Sequence, residues 1–471
     1  MIKQITTQLK KKSVLLSILL AVFFVKGLVF AALLPALQGF DEPNHFVTAQ
    51  YFSLTKYGVT GTEPISYVKE LKSDSAAIGY DQTRNTSFNT QDFTDGLMGQ
   101  GEDQIQKDTA RKDLDVFPKK YILSPYARST SFINYLLKDE SFLFRLFTLR
   151  IFSVILGTLI VWLVFLTARS SGFSENTSLL FAGIFAFQPM LTNVTSIINY
   201  DVMLTLAFVL FAYSSINLIK NGFSRKFALL AALAAFIGIF TKGSGIVLAG
   251  LLLPLAIYVA QKKLRLSKTK LLILLPVFLV AAATLSYFFS PYSLNQITRM
   301  DNDSHFKTLG KSLSGYQNST IKSFEKYSRT YWGDFGWIGA PISDNVLRFI
   351  WAVETICLIG LIVFLVSKKN PSFLPSKTVA LFLMVIFLAL QFGVRFADWA
   401  AFNDRGHIIY GTSGRYFIPV LFAHLLLLAI GAGTLSRREN IFNIVLKTGF
   451  VLMALFYCYS MISVIIPRYY L

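Results

Sequence analysis

The sequence predicts an all-α polytopic membrane protein, on three observations. Of 471 residues, 54% are hydrophobic and 15% aromatic, with a mean hydropathy of +0.52, more than a soluble domain carries. The apolar residues fall into runs of about 20, the length that crosses about 30 Å of hydrocarbon. The basic residues gather in short connections between alternate runs. In chain order there are about eleven candidate spans, near 14–38, 145–168, 178–195, 202–219, 227–241, 245–260, 271–290, 345–366, 378–396, 416–434 and 441–466. The pairs meeting near Asn199 and Lys242 have very short turns, so one or both can be re-entrant.

Lys and Arg in short loops stay on the cytoplasmic side, which sets the expected orientation. Lys3 and Lys10 to Lys12, Lys220/Arg225/Lys226, Lys262/Lys263/Arg265/Lys268/Lys270, Lys368/Lys369/Lys377 and Arg437/Arg438 all fall on one side of an alternating path. That side is read as inside, with the N-terminus cytoplasmic. Loops 39–142, 291–344 and 397–414 and the tail 467–471 are then outside. The net charge of +19 is spread over the inner loops rather than gathered on one face, so a nucleic-acid partner is not expected. Cys357 and Cys458 sit inside apolar runs and read as core residues, with neither a disulfide framework nor metal-ligand spacing. The Lys-rich N-terminus and its long apolar run lack a small-residue cleavage site before Asp41, and read as a retained first span.

The chain thus reads as one transmembrane domain, 1–471, with two long extracytoplasmic loops, 39–142 and 291–344. Loops of that length are usually functional or disordered. Residues 43–57 place Val47, Tyr51 and Leu54 at helical spacing, an expected amphipathic helix lying in the interface. Residues 72–115 are polar with few apolar anchors, so mobility is expected there. Phe132, Tyr135 and Leu136 follow, before Arg145 and Arg150 enter the second span.

Between the first span and the interfacial helix lies Phe40-Asp41-Glu42-Pro43-Asn44-His45-Phe46. Adjacent carboxylates near hydrocarbon must be paired, hydrated or neutralised, and ionisable groups at such positions read as functional by default. An acid followed by proline is also a good helix start. Capping explains one carboxylate, not the pair with His45. On a helix, Asp41 and His45 are four apart and share a face.

A first span followed at once by an outer Asp-Glu motif on an interfacial helix resembles the GT-C class of membrane glycosyltransferases, which take sugars from polyprenyl-phosphate carriers. Within that class Asp41-Glu42-Pro43-Asn44-His45-Phe46 is similar to the DEP-x-HF opening of a bacterial membrane family. Ile198-Asn199-Tyr200-Asp201 looks like the second acidic position of the class. Tyr331-Trp332-Gly333-Asp334-Phe335-Gly336-Trp337 resembles the family's W-G-x-F-G-W segment, and Gly414-Arg415-Tyr416-Phe417-Ile418-Pro419 its GRYF-x-P segment. The motifs run in matching order over most of the chain. Residues 57–127 depart from the pattern, with no close match to its proline-rich approach to the second span beyond Ser124-Pro125-Tyr126. The resemblance implies a GT-C-like bundle and a polyprenyl-phosphate-linked sugar donor.

Glycosyl transfer from a sugar phosphate needs a base for the acceptor hydroxyl and a cationic site for the leaving phosphate. Asp41 is the expected base, Glu42 the fallback, and Asp201 a helper or acceptor-orienting group. For the phosphate, Arg415 ranks first, with Lys242, Arg405 and Arg395 also near the outer ends of spans. Snorkelling to the headgroups explains Lys242 equally well. His45, Tyr416, Trp332 and Trp337 are further substrate contacts; the tryptophans can stack on a sugar or sit in the interfacial belt. Arg150 and Lys26, inside apolar runs, read as interhelical pairing, with a buried acid as the other reading. Asp301-x-Asp303-x-His305 suits Mg²⁺ or Mn²⁺, although a solvated turn explains the run, so no cofactor is assigned and a divalent metal stays open. A single base with in-line displacement predicts inversion at the anomeric carbon. The expected function is an inverting glycosyltransferase that moves a sugar to a cell-envelope glycan or polymer outside the membrane. The alternatives are a transporter or flippase of lipid-linked saccharide and a non-catalytic partner in envelope assembly.

Overall fold

Backbone within hydrocarbon has to satisfy its own N–H and C=O groups, so apolar runs of this length become helices. The structure, a computed structural model, describes residues 2–54, 124–262, 320–321, 324–335, 339–405 and 413–470. Its elements are α1 (Ile2–Leu33), α2 (Glu42–Leu54), α3 (Pro125–Leu136), α4 (Phe142–Ser171), α5 (Glu175–Ala186), α6 (Pro189–Thr195), α7 (Asp201–Asn221), α8 (Arg225–Thr241) and α9 (Ile246–Lys262). Then come α10 (Phe324–Trp332), the paired two-residue strands β1 (Asp334–Phe335) and β2 (Ala340–Pro341), α11 (Asp344–Val366) and α12 (Lys377–Arg405). A 3₁₀ turn, Gly414–Val420, leads into α13 (Leu421–Ser436), followed by α14 (Glu439–Ser460), a π-helical turn Met461–Ile465 and α15 (Ile466–Tyr470). The protein is an all-α polytopic membrane protein.

Eight helices among the described residues are long and apolar enough to cross a bilayer, or nine if α5 and α6 together form one span. Of the expected spans, 271–290 lies outside the described residues, and α8 has 17 residues, at the lower limit for a crossing. The expected span 178–195 is broken, with α5 and α6 bent by 69°. Pro189 causes the break: it has no N–H to donate and it drives Gln188 to an extended conformation, φ −64° and ψ 123°. The Gln188 side chain then accepts from Leu191 N–H and restarts the helix. Lys26 lies at this break. Its ammonium donates to Thr192 and sits over the rings of Tyr457 (4.3 Å), Phe23 (4.9 Å) and Phe187 (5.4 Å).

The helix α7 forms the centre of the bundle, with 89% of its most apolar window buried, against 22% for α11. It packs on α4, α8 and the Gly414–Val420 turn. Outer helices turn large apolar side chains outward, Phe349, Ile356 and Ile362 on α11 among them, as a lipid-facing surface requires.

The helix at 43–57 exists as α2, but Phe46, Thr48, Ala49, Gln50, Phe52 and Ser53 are all buried. It packs against α3. Cys458 is exposed and Cys357 only half-buried, so neither is a core residue; both lie on helices whose outer faces point away from the bundle. The expected mobile stretch 72–115 and the Asp301-x-Asp303-x-His305 run lie outside the described residues.

Candidate functional site

Four motifs far apart in the chain meet at one end of the bundle, where α1 has finished, α7 begins, α8 ends and the Gly414–Val420 turn begins. Asp41 Oδ2 lies 2.5 Å from Arg415 Nη2, and Lys242 Nζ 2.7 Å from Asp201 Oδ1. Aromatic rings tie the pairs together. Tyr416 lies under both cations, 4.3 Å from Lys242 and 5.0 Å from Arg415. Phe40 flanks Arg415 at 4.7 Å and Tyr200 flanks Lys242 at 4.9 Å. The His45 ring meets Tyr200 edge-on at 4.3 Å.

Local sequence explains how each side chain arrives. Lys242 sits between α8 and a 3₁₀ turn at Gly243–Gly245, in extended backbone with φ −154° and ψ 149°. The return is so tight that a Cβ on Gly245 would stand 1.9 Å from Gly238 O, so only glycine closes it. Arg415 depends on a second close approach. A Cβ on Gly414 would be 2.1 Å from Tyr327 O and 2.4 Å from Tyr331 N, and Gly414 N–H donates to Thr330 Oγ1 at 2.6 Å. Asp201 opens α7, and its N–H donates to Asn199 Oδ1 at 2.7 Å. Asn199 Nδ2 donates to Phe40 O at 3.1 Å, which fastens the α7 start to the residue before Asp41. Asn199 N–H in turn donates to the Tyr126 hydroxyl, 2.9 Å away.

Glu42, the fallback base, is elsewhere engaged. Its carboxylate and the Arg150 guanidinium are fully buried. Glu42 Oε1 accepts from Arg150 Nε at 2.7 Å and from Ile198 N–H at 3.1 Å. Glu42 Oε2 accepts from Arg150 Nη2 at 2.6 Å and from Gly39 N–H at 3.2 Å. Arg150 also donates to Ala31 O, Leu34 O and Pro35 O at the end of α1. Each of its N–H donors is used, and Glu42 has no lone pair left for a substrate. The structure therefore corrects the assignment of Glu42 as a base: it closes a scaffold. Arg150 meets a buried acid, the less favoured reading of the sequence.

Asp41 differs. Its side chain is 36% exposed, and its backbone is left-handed, φ 56°, a strained state for a residue other than glycine. Burial raises the pKa of its carboxyl. The Arg415 charge and hydrogen bond, then His45 and Lys242, more than offset that and hold it below the usual carboxylate value. Burial lowers His45 to about 4; Asp41 and Asp201 oppose the shift, while Arg415 and Lys242 add to it. His45 is thus neutral at pH 7. Two buried polar atoms of the cluster, His45 Nε2 and Arg415 Nη1, find no hydrogen-bond partner among the described residues. Buried polar groups are normally paired, so these two leave unspent hydrogen-bonding capacity at the cluster.

A family model described as "Predicted membrane protein (DUF2142)" matches residues 23–424, which span Asp41, Asp201, Lys242 and Arg415. The chain belongs to this family. No curated protein and no solved structure matches it.

Four expected site residues of this DUF2142 chain remain: Arg405, Trp337, Arg395 and Trp332. Arg405 is the last residue of α12, and Trp337 is not among the described residues. Arg395 lies over Tyr327 at 4.4 Å and Phe417 at 5.5 Å, behind the Gly414–Val420 turn. Trp332 is buried and hydrogen-bonded to Glu354. It lines an apolar cavity of about 390 Å³ beside α11, α13 and α14 rather than the Asp41 cluster. Here is a polar group the sequence reading missed: Glu354 Oε1 lies 3.4 Å from His424 Nε2, and His424 Nδ1 is 3.0 Å from the Tyr331 hydroxyl. Its signal was two ionisable residues inside apolar runs. For a metal, no group of three or more His, Cys, Asp or Glu converges among the described residues.

Proposed function

We propose that this protein is an inverting glycosyltransferase of GT-C type, which moves a sugar from a polyprenyl-phosphate carrier to a cell-envelope glycan or polymer outside the membrane. The observation that carries the reading is the Asp41–Arg415 contact at 2.5 Å beside Lys242: a carboxylate open to substrate, set against two cations. In the proposed step the acceptor hydroxyl gives its proton to Asp41 as its oxygen attacks the anomeric carbon. The bond from that carbon to the phosphate oxygen breaks, and the electron pair leaves on the phosphate. Arg415 binds the phosphate through its fork and Lys242 acts as a second point charge. Asp201, salt-bridged to Lys242, positions that cation. One displacement inverts the anomeric carbon.

The outer location rests on charge. The opposite ends of α7, α8 and α13 carry Lys220, Arg225/Lys226 and Arg437/Arg438, which belong inside. A second reading, transport of the lipid-linked saccharide, draws on the broken α5–α6 pair, since discontinuous helices often line transport sites. One experiment separates the two. The purified chain is placed in vesicles with a panel of polyprenyl-phosphate sugars and acceptor glycans, and products are separated by mass. The proposal expects a new glycosidic bond of inverted configuration. Sugar lipid that crosses the bilayer unchanged identifies a transporter, and neither outcome for any donor overturns the transferase reading.

A further inference from the structure

We propose that Asp41 and the donor phosphate compete for Arg415, so that arrival of the donor is what frees Asp41 to act as the base. This inference rests on the transferase reading above. In the resting protein the two side chains are in contact at 2.5 Å, with Arg415 9% exposed and Asp41 36% exposed. Neither can swing far. Arg415 is held between the rings of Phe40 and Tyr416, and Gly414 behind it is pinned to Thr330. Asp41 is fixed by its left-handed backbone, by His45 N–H donating to Asp41 O at 3.1 Å, and by the Asn199 bond to Phe40 O. The guanidinium also has Nη1 buried without a partner among the described residues, so a phosphate that takes Nη2 from Asp41 has a second, unspent N–H of the same fork to engage.

Charge completes the argument. Asp41 and Asp201 balance Arg415 and Lys242, and His45 is neutral, so an entering phosphodiester adds one uncompensated negative charge beside Asp41. That excess is relieved when Asp41 takes up a proton, the one the acceptor hydroxyl gives up in the reaction. Linkage makes the effect reciprocal. If phosphate favours proton uptake by Asp41, loss of the Asp41 charge favours phosphate binding. Asp41 therefore opposes donor binding and enables transfer.

The test uses the full chain in nanodiscs and, as probe, the monomethyl ester of undecaprenyl phosphate, a phosphodiester with one negative charge across the working pH range. Asp41→Asn is expected to bind this probe roughly tenfold more tightly than wild type. In an Arg415→Gln background the same change is expected to alter affinity less than about twofold, because the contested cation is gone. Asp41→Ser supplies the same comparison if the asparagine variant fails to fold. Equal or weaker binding by both Asp41 variants overturns the competition while leaving Asp41 free to serve as base. Wild-type transfer by those variants removes Asp41 as the base, whereas no transfer from any donor by the wild-type chain overturns the transferase reading itself.

Discussion

Asp41 and Glu42 are neighbours in sequence and opposites in circumstance. Glu42 faces inward, is fully buried, and spends every lone pair on Arg150 and two backbone N–H groups. Asp41 is 36% exposed, pairs with Arg415 with no backbone donor to its carboxylate among the described residues, and stands beside buried polar atoms that likewise lack a partner among them. The same chemical group is a structural tie in one place and a reactive candidate in the other. What separates them is how completely the surroundings use up hydrogen-bonding capacity.

The sharpest way to break this comparison is to attack the closed pair. Glu42→Gln leaves the Arg150 charge buried without a counter-ion, a change that costs about 3–5 kcal/mol. The variant should be lost from the detergent-soluble, monodisperse fraction. Replacing both partners, Glu42→Leu with Arg150→Met, should recover only part of the yield, because it removes the uncompensated charge but takes away the hydrogen bonds that the Ala31, Leu34 and Pro35 carbonyls and the Gly39 and Ile198 N–H groups make with the pair. A Glu42→Gln protein as stable as wild type would contradict the scaffold role.

The open side should respond in substrate use rather than in folding. Arg415→Ala should raise the donor concentration needed for half-maximal transfer about 100-fold with a thermal midpoint within a few degrees of wild type, and Lys242→Met about tenfold with a lower midpoint, because the buried Asp201 loses its counter-ion. Unchanged donor dependence in Arg415→Ala removes it from the phosphate site.

His45 gives a pH test. Its folded value near 4 lies below the usual 6.5, so between those values the unfolded chain binds a proton that the folded chain refuses. Stability should therefore fall as pH drops from 6.5 towards 4, by up to about 3 kcal/mol. His45→Gln should flatten that part of the midpoint-versus-pH curve. The Asp41 shift has the same consequence at lower pH: its depressed value adds stability above the ordinary carboxylate range, lost as pH falls through the folded value. The smallest effect is expected at Trp332, which lines the separate Glu354 cavity. Trp332→Phe should change transfer less than about threefold, and a larger loss would extend the site to that cavity.

Much of the open cluster was legible because each member is an ionisable residue at the end of an apolar run, where charge is expensive and conspicuous. Asp41, Asp201, Lys242 and Arg415 could each be singled out, yet no spacing in the chain says that Arg415 lies against a carboxylate 374 positions away. The scaffold pair was half hidden for the same reason: Glu42 and Arg150 are 108 residues apart, and only packing brings them together. The apolar pattern around Val47, Tyr51 and Leu54 revealed a helix, but not that it would pack against α3. The run 178–195 read as one continuous span because its apolar residues continue through Pro189, and the 69° bend there became visible only in the packed structure. Trp332 misled because an aromatic near a membrane end suits a sugar, a lipid headgroup or, as found, a buried carboxylate.

The central claim is that the open carboxylate, not the closed one, does chemistry. It is tested most directly by the initial rate of sugar transfer by Asp41→Asn from a polyprenyl-phosphate sugar, in the same vesicles that support the wild-type reaction. Loss of a base predicts a rate reduced about 10²–10⁴-fold, with membrane insertion and thermal midpoint preserved. A rate equal to that of the wild type would contradict the account.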